Sequence, residues 1–488
     1  MQALSANTTA INNTAVGHQS LYTNTTGTGN AALGAYALTA STTASNNTAV
    51  GYSALGASTT GAENTAVGRT ALGTNTTGGF NTAVGRDALK ENTTASYNTA
   101  VGYSALILNT TGGSNTATGY SALRSNTIGA QNNAFGRDSL YANTTGSNNQ
   151  AMGKDAVGSN TTGNNNIGIG TRALQLNTTA GNNVAIGFEA LQANTTAANN
   201  TAIGYQALLS NTTGIQNTAI GQAALDSNTT ASNNVGIGAN ALGLNTTGTQ
   251  NTVVGTFSGD AVTTGSDNTF VGKSAGGSIT TGSNNTAIGE DALLSATTPT
   301  FNTVLGSGAG RFITTGSKNT IIGGYTGNQG GLDIRTSNNY IVLSDGDGNP
   351  RAYWDNNGYM QSIGVYNNTT ASAANVHVAS NGYVLRSTSS LRYKNTINDA
   401  THGLTELLEL RPVTYKGNND NDGDTVFGGL IAEEVHDAGL TEFVQYNDDG
   451  EPDALAYGNM VSLCIKAIQE QQETITALEA RIAALESN

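Results

Sequence analysis

The sequence is poor in cysteine and in charge, and both shortages exclude classes of protein. Its one cysteine, Cys464, cannot form an intramolecular disulfide. Charged residues make up 11% of the 488 positions, less than half of the roughly 25% that ordinary soluble proteins carry. The 19 Lys and Arg residues form no basic stripe for a phosphate backbone, so we expect no nucleic-acid binding.

Long apolar segments are also missing. No run reaches the roughly 18 consecutive apolar residues of a membrane-spanning helix. The first residues, Met1 to Leu4, lack the basic and apolar regions of a signal peptide. We therefore expect no membrane insertion and no secretion signal in the chain itself.

The chain is instead rich in glycine, with 63 residues, and it repeats itself. Residues 47–51 are Asn-Thr-Ala-Val-Gly, and the same five residues return 17 positions later at 64–68. Asn13 and Asn319 are 18 such steps apart, so there are 19 repeats, each with Asn first and Gly fifth. A fixed period predicts a solenoid with one turn per repeat. With strands spaced as in a β-sheet, residues 1–326 would form a shaft on the order of 90 Å long.

Individual positions of the repeat predict local structure. The fourth residue is nearly always large and apolar, as in Val50, and the ninth is usually Leu, so we expect both to point inward. Gly at the fifth position suits a positive φ or a close backbone approach. Residues 52–55 are predicted to form one helical turn, and residues 75–78 a turn and a second short strand. Two large inward residues per turn are few for a lone solenoid, so we expect an oligomer.

The pattern changes near residue 250. The twelfth position, Asn or Ser in the first 14 repeats, becomes apolar in the next four, and the ninth-position Leu is lost in three of these. The residues concerned are Val262, Ile279, Ala296 and Ile313, and Gly259, Gly276 and Gly310. We expect the packing to change there, and a change of width or of lateral contact is a hypothesis.

The repeats resemble the head repeats of trimeric autotransporter adhesins and the repeat shafts of phage tail fibres. This resemblance implies a mainly β, elongated, trimeric parallel β-roll, although the 17-residue period is longer than that of the adhesin head and the adhesin's membrane barrel is absent. Paired threonines such as Thr76-Thr77 also resemble the flat arrays of ice-binding solenoids. We prefer a solvated β-ladder, with ice binding as an alternative.

Residues 327–388 are predicted to form a β-rich connector. Strands at residues 339–344 and 351–354 flank a tight turn, and further strands are expected at 374–378 and 382–385. Asp345, Asp347 and Asn349 have the alternate spacing of a calcium loop but lack its Gly and its terminal Glu. We therefore expect a plain hairpin, and no metal or cofactor anywhere in the chain.

The last 100 residues differ from the array. Residues 389–488 contain 18 Asp and Glu against 6 Lys and Arg, a net charge of −12. The leucines of 404–410 predict a short helix that Pro412 ends, followed by a strand from Val413. Residues 427–435 predict a strand that leads into a turn or helix. A small α+β domain is thus expected at 389–460.

Four motifs of this region resemble the C-terminal intramolecular chaperone of phage tail spikes and fibres, the S74 peptidase family. They are Ser389-x-x-Arg392-x-Lys394, Leu410-Arg411-Pro412-Val413-Thr414-Tyr415, Gly429-Leu430-Ile431-Ala432-Glu433-Glu434-Val435, and Ala467-Ile468-Gln469-Glu470. The resemblance implies a small domain that assembles as a trimer, templates the β-rich fibre before it and then cuts itself off.

The same resemblance implies the catalytic residues: Ser389 as nucleophile and Lys394 as its base, with the cut between Thr388 and Ser389. A serine hydroxyl needs an adjacent base, and a lysine can serve if burial lowers its pKa. The family usually has Asp after the serine, whereas this chain has Ser390, which stays a possible alternative nucleophile. A Ser-rich linker that is not cleaved is the other alternative.

Residues 461–488 are predicted to form a coiled-coil helix. Apolar residues occupy the a positions and most d positions of successive heptads. The a residues are Val461, Ile468, Ile475 and Ile482, and the d residues are Cys464, Gln471, Leu478 and Leu485. We expect Cys464 to be a small buried residue and Gln471 to fix the register. The trimer follows from the family resemblance, since this a/d pattern alone favours two strands.

Together these features predict a virion tail fibre for host attachment. Its expected partners are two further copies of the chain, other tail proteins and a glycan or protein receptor on the host cell. The alternative is an uncleaved bacterial surface adhesin that has kept the trimerisation domain. An enzyme acting on host glycans is disfavoured, because the repeats are nearly free of acids and show no paired carboxylates.

The cleavage prediction can be tested by intact mass under denaturing conditions. The wild-type chain should give two fragments, the smaller beginning at Ser389, because the hydroxyl attacks the preceding peptide bond. The Ser389→Ala chain should stay whole. A single full-length species from both chains would refute autoproteolysis and leave a permanent trimerisation domain.

Overall fold

The computed structural model describes residues 2–362, 376–378, 384–386, 394–418, 424–447 and 449–487. These residues belong to two compact units, divided after residue 369. The catalytic residues implied by the resemblance, Ser389 and the alternative Ser390, lie outside the described residues together with Thr388, whereas Lys394 is described.

The first unit is the expected solenoid. Each of the 19 repeats contributes one three-residue strand, and each of the first 18 strands pairs in parallel with the strand 17 residues later. These strands, β1–β19, are Thr14–Val16, Ala31–Leu33, Thr48–Val50, Thr65–Val67, Thr82–Val84, Thr99–Val101, Thr116–Thr118, Asn133–Phe135, Gln150–Met152, Ile167–Ile169, Val184–Ile186, Thr201–Ile203, Thr218–Ile220, Val235–Ile237, Thr252–Val254, Thr269–Val271, Thr286–Ile288, Thr303–Leu305 and Thr320–Ile322.

The strands correct one expectation about the core. Successive side chains of a strand point to opposite faces, and the middle residue, at the third repeat position, is the buried one, as at Ala49 and Ala202. The fourth-position residue points outward, so that Val16 is 56% and Met152 52% exposed. The prediction that the fourth position fills the core is therefore wrong, whereas the ninth-position Leu is buried as predicted.

Buried asparagines at the first repeat position connect consecutive turns. Asn149 Nδ2 donates to the carbonyl of Gly163, 2.8 Å away, which closes its own turn. Its Oδ1 accepts the backbone N–H of Asn166 at 3.0 Å, the equivalent residue of the next turn. A buried polar group is stable only when it is hydrogen-bonded. The invariant Asn supplies both bonds in turn after turn.

A second asparagine row lies at the twelfth position. Asn143 Nδ2 donates to Gly146 O at 2.9 Å and to Oδ1 of Asn126, one turn earlier, at 2.8 Å. The side-chain ladder is continuous from Asn75 to Asn245. It ends there because the next residue of the row is Val262, and Asn245 Oδ1 is left without a hydrogen-bond partner.

Two features of the backbone fix the corners of each turn. Gly153 has φ +133°, and a Cβ on it would lie 2.6 Å from the carbonyl oxygen of Gly170 in the next turn, which explains the invariant fifth-position Gly. Residues 52–55 form no helical turn, contrary to expectation, because Ser53 and Leu55 alternate into positive φ of 53° and 50°. Residues 75–78 form bends and no second strand.

After residue 250 the third and ninth positions of the core change together, which confirms the predicted packing change. Where the ninth-position Leu is replaced by Gly, the third-position Ala is replaced by a larger residue. A Cβ on Gly276 would lie 2.7 Å from the buried ring of Phe270, which occupies the space of the missing Leu. The intervening turn, with Leu293, keeps Ala287 at its third position.

Beyond the array the same sheet continues. After β20 (Asn328–Gln329) and β21 (Leu332–Asp333), strand β22 (Ile341–Ser344) pairs in parallel with β19, and β23 (Pro350–Trp354) and β24 (Met360–Ser362) follow antiparallel. The predicted hairpin over Asp345 to Asn349 is confirmed. The Asp345 carboxylate accepts the backbone N–H of Asn349 at 2.8 Å and pairs with Arg351.

The second unit begins with a hairpin of β25 (Val376–Val378) and β26 (Val384–Arg386). Helix α1 (Leu404–Glu409) precedes an antiparallel pair, β27 (Val413–Lys416) and β28 (Val426–Gly429). Helix α2 (Ala432–Asp437), a 3-10 turn (Thr441–Phe443) and the pair β29 (Val444–Tyr446) and β30 (Pro452–Leu455) lead to helix α3 (Val461–Glu486). The predicted short helix, strands and C-terminal helix are confirmed.

Replacing one asparagine of the first row tests its role. Asn149→Ala leaves the N–H of Asn166 and the carbonyl of Gly163 with fewer partners, and a buried unsatisfied group costs about 1–3 kcal/mol. We expect a loss of about 2–4 kcal/mol in the local opening free energy of the flanking turns, measured by amide hydrogen exchange. Gln150→Ala, at the adjacent exposed position, should have almost no effect, and equal effects would contradict this role.

Candidate functional site

The implied catalytic dyad cannot be assembled from the described residues. Ser389, Ser390 and the cleavage position at Thr388 lie outside them, and Lys394 is an exposed residue at the start of the next described segment. The Ser389 and Lys394 assignment therefore stays a prediction from sequence. The described part of the second unit shows instead how the other motifs are arranged.

Two motifs that carry the chaperone resemblance meet in the second unit. Strands β27 and β28 pair, and Arg411 Nε donates to Glu434 Oε2 at 3.2 Å. The guanidinium holds the pKa of Glu434 below its usual value. The hydroxyl of Tyr457 accepts the backbone N–H of Leu430 at 2.7 Å and donates to its carbonyl at 3.2 Å. These bonds fix the loop that joins β28 to α2.

The fourth motif anchors helix α1 to helix α3. The Glu470 carboxylate accepts the backbone N–H of Leu404 at 2.7 Å, and this bond is the main cause of a lowered pKa at Glu470. A carboxylate near the first turn of a helix also satisfies a donor that the helix itself leaves unpaired. Two sequence segments 66 residues apart are thereby joined.

Helix α3 has two different apolar faces. Leu463 and Ala467 are buried against the core of the second unit, which also contains Val435 and Phe443. The predicted apolar a and d residues are exposed. They include Val461, Ile468, Ile475, Leu478, Ile482 and Leu485. Cys464 is exposed as well, so its expected burial is not found within one chain.

The first unit has its own exposed apolar surface, formed by residues that are predicted from the sequence to point into the core. We call it the outer row: the fourth-position residues of β1–β19, of which all but Thr118 are apolar, together with Leu343 of β22. Consecutive members lie on paired strands, about 4.8 Å apart. A contiguous apolar surface of this extent is typical of an interaction site. The signal that locates it is the period-two alternation within each strand.

The described residues hold no group of three or more His, Cys, Asp or Glu side chains placed to bind a metal. No helix in this part of the chain combines the length and the apolarity needed to cross a bilayer. Comparison with known proteins gives no match to any family model, curated protein or solved structure. The function must therefore be argued from the two units themselves.

An ion pair in the second unit makes its stability depend on pH. His402 Nδ1 lies 2.7 Å from Glu442 Oε1, and this hydrogen bond raises the pKa of His402 above its usual 6.5. The stabilisation is complete below about pH 6.5 and is lost as the pH rises through the raised pKa.

We expect amide exchange at residues 441–443 of the full chain, corrected for intrinsic rates, to accelerate from about pH 5.5 to about pH 8.5. His402→Gln should remove most of this difference, because its side chain has no charge to lose. An unchanged pH dependence in the variant would show that another group is responsible.

Proposed function

We propose that the chain is the subunit of a homotrimeric tail fibre that attaches a virion to its host cell. The shaft is the solenoid, and residues 389–488 template its trimeric assembly and then cleave the bond between Thr388 and Ser389. The observation that carries the proposal is the outer row, an apolar surface that follows the solenoid from turn to turn and has no cover within the described chain.

The energetics of the outer row favour another copy of the chain as its cover. Val84, Val101 and Ile169 of the row are each 37% exposed, and covering such a side chain contributes on the order of 0.5–1 kcal/mol. A few such contacts do not offset the roughly 4–15 kcal/mol that association costs, but about 20 successive strands do. A partner must make contact with the row at every turn. A second copy of the chain can do so because its own outer row has the same spacing between turns.

Helix α3 supports the same assembly from the other end of the sequence. Its a and d residues form an apolar heptad seam that one chain leaves exposed, and such seams are buried between helices in coiled coils. The four motifs supply the resemblance to self-cleaving fibre chaperones. If cleavage removes the domain after assembly, the shaft loses its folding template, and its lifetime is set by a high barrier to unfolding.

A bacterial surface adhesin is the alternative with the same geometry. It would use the outer row and the α3 seam in the same way but keep residues 389–488 attached. Neighbouring genes for tail proteins favour the fibre, and neighbouring secretion genes favour the adhesin.

Charge placed on the outer row tests the proposed assembly. Lysines at Val84 and Val101 would be buried without partners between copies, so the double variant should dissociate at a subunit concentration at least about tenfold higher than wild type. Sedimentation velocity over a dilution series measures this. The matched control is Thr94→Lys with Thr111→Lys, two exposed positions of the same turns outside the row. A monomeric wild-type chain, or equal behaviour of both variants, would contradict the proposal.

A further inference from the structure

The surface of the solenoid has a groove that is separate from the outer row. It lies over turns six to ten, has a volume of about 540 Å³, and is bordered by Tyr103, Tyr120 and Tyr141. These three residues are 42%, 55% and 36% exposed. The volume falls within the roughly 300–1,000 Å³ of small-ligand sites.

The groove arises where a glycine of the tenth repeat position stands between long residues in the turns before and after it. The tenth repeat position is Tyr141 in turn eight, Gly158 in turn nine and Gln175 in turn ten. All three line the groove. Because equivalent residues stack directly above one another in a solenoid, the missing side chain leaves a notch between two long neighbours.

One wall of the groove is aromatic and fixed. Tyr103 and Tyr120 occupy the same repeat position in consecutive turns, with ring centroids 5.3 Å apart and planes 11° from parallel. Arg86 lies over the Tyr103 ring at 5.6 Å. On the opposite side Arg124 Nη1 donates to the hydroxyl of Tyr141 at 3.0 Å. These contacts hold the rings in place before any ligand arrives.

The rest of the groove lining contains both hydrogen-bond donors and hydrogen-bond acceptors, and neither positive nor negative charge dominates. The carboxylates of Asp138 and Asp155 accept, and each pairs with a cation next to it in sequence, Arg137 at 2.9 Å and Lys154 at 3.8 Å. Arg124 donates, and serine hydroxyls in the groove do both. An anionic ligand would meet the two carboxylates, and a cationic one would meet Arg124.

We infer that this groove binds a neutral oligosaccharide. A sugar ring has apolar C–H faces that pack against tyrosines and hydroxyls that both donate to carboxylates and accept from guanidinium and serine groups. This combination matches the lining better than an ion or an apolar molecule does. The inference rests on the proposed attachment role for the source of the sugar, a glycan of the host surface, whereas the site itself rests on the groove.

The decisive variant fills the notch. Gly158→Tyr places in turn nine the residue that turn eight already carries, and Gly158 lacks the positive φ that would strain it. Gly73→Tyr is the matched control at the same repeat position, remote in sequence from the groove. In both variants the new Cβ would lie 3.1 Å from the carbonyl oxygen three residues earlier. Any loss of folding stability from this close contact should therefore be similar in the two variants.

The experiment measures binding of maltohexaose, cellohexaose, mannohexaose and chitohexaose to the full chain by saturation-transfer NMR and calorimetry. At least one should bind at millimolar concentration, and Gly158→Tyr should weaken it by at least about tenfold. Gly73→Tyr should bind like wild type. Tyr120→Ala should bind more weakly and Tyr120→Phe should retain most of the affinity, because the ring face is kept.

Binding of no hexasaccharide, or equal binding by the Gly158→Tyr and Gly73→Tyr chains, would overturn the inference. Attachment to bacterial cells, followed with labelled protein, separates this failure from that of the proposed function. If Gly158→Tyr protein attaches to cells as wild type does, the groove proposal fails and the attachment role stands. If the groove binds sugar but the protein attaches to no cell, the attachment role fails instead.

Discussion

The solenoid depends on the buried asparagine amides of the first repeat position, which hydrogen-bond both within a turn and to the next turn. At the first repeat position one amide closes its own turn through a carbonyl 14 residues away and accepts the N–H of the next turn. Both partners are backbone groups at fixed offsets, so an insertion or deletion within a turn would leave buried groups unpaired. This requirement explains why 19 repeats keep a period of 17 without exception, although most other positions vary.

A core built from Asn, Ala and Leu has little apolar volume, and where the ninth-position residue becomes Gly the third-position residue becomes larger. Phe270 beside Gly276 replaces the Ala and Leu of other turns, and the reversion at Ala287 and Leu293 shows that the two positions change together. Close packing makes both cavities and excess volume costly. The apolar core is therefore closely packed within one chain, and the apolar surface that remains exposed lies on the outer row.

Much of the fold could be predicted from sequence because the repeat is a physical period. The number of turns, the parallel pairing, the need for Gly at the fifth position and the heptad helix all follow from spacing. The predicted orientation of the fourth-position side chain was wrong, because a large apolar side chain need not be the buried one. In a three-residue strand the middle residue and the end residues face opposite sides, and it is the small middle residue that the structure buries. The covariation of the third and ninth positions was present in the sequence and points the same way.

The candidate sites were less predictable from the sequence than the fold. The Ser389 and Lys394 assignment came from a resemblance and concerns residues of which only Lys394 is described. The sugar groove was missed because its residues are neighbours in the solenoid while far apart in sequence. It becomes visible once the chain is aligned in columns of 17, where Gly158 stands between Tyr141 and Gln175.

The measurement that tests the central claim most directly is a cross-section of the purified wild-type shaft by electron cryomicroscopy. The account predicts three solenoids side by side, with the fourth-position residues, such as Val101 and Ile169, at the contacts between chains. A single solenoid with these residues facing water would contradict it.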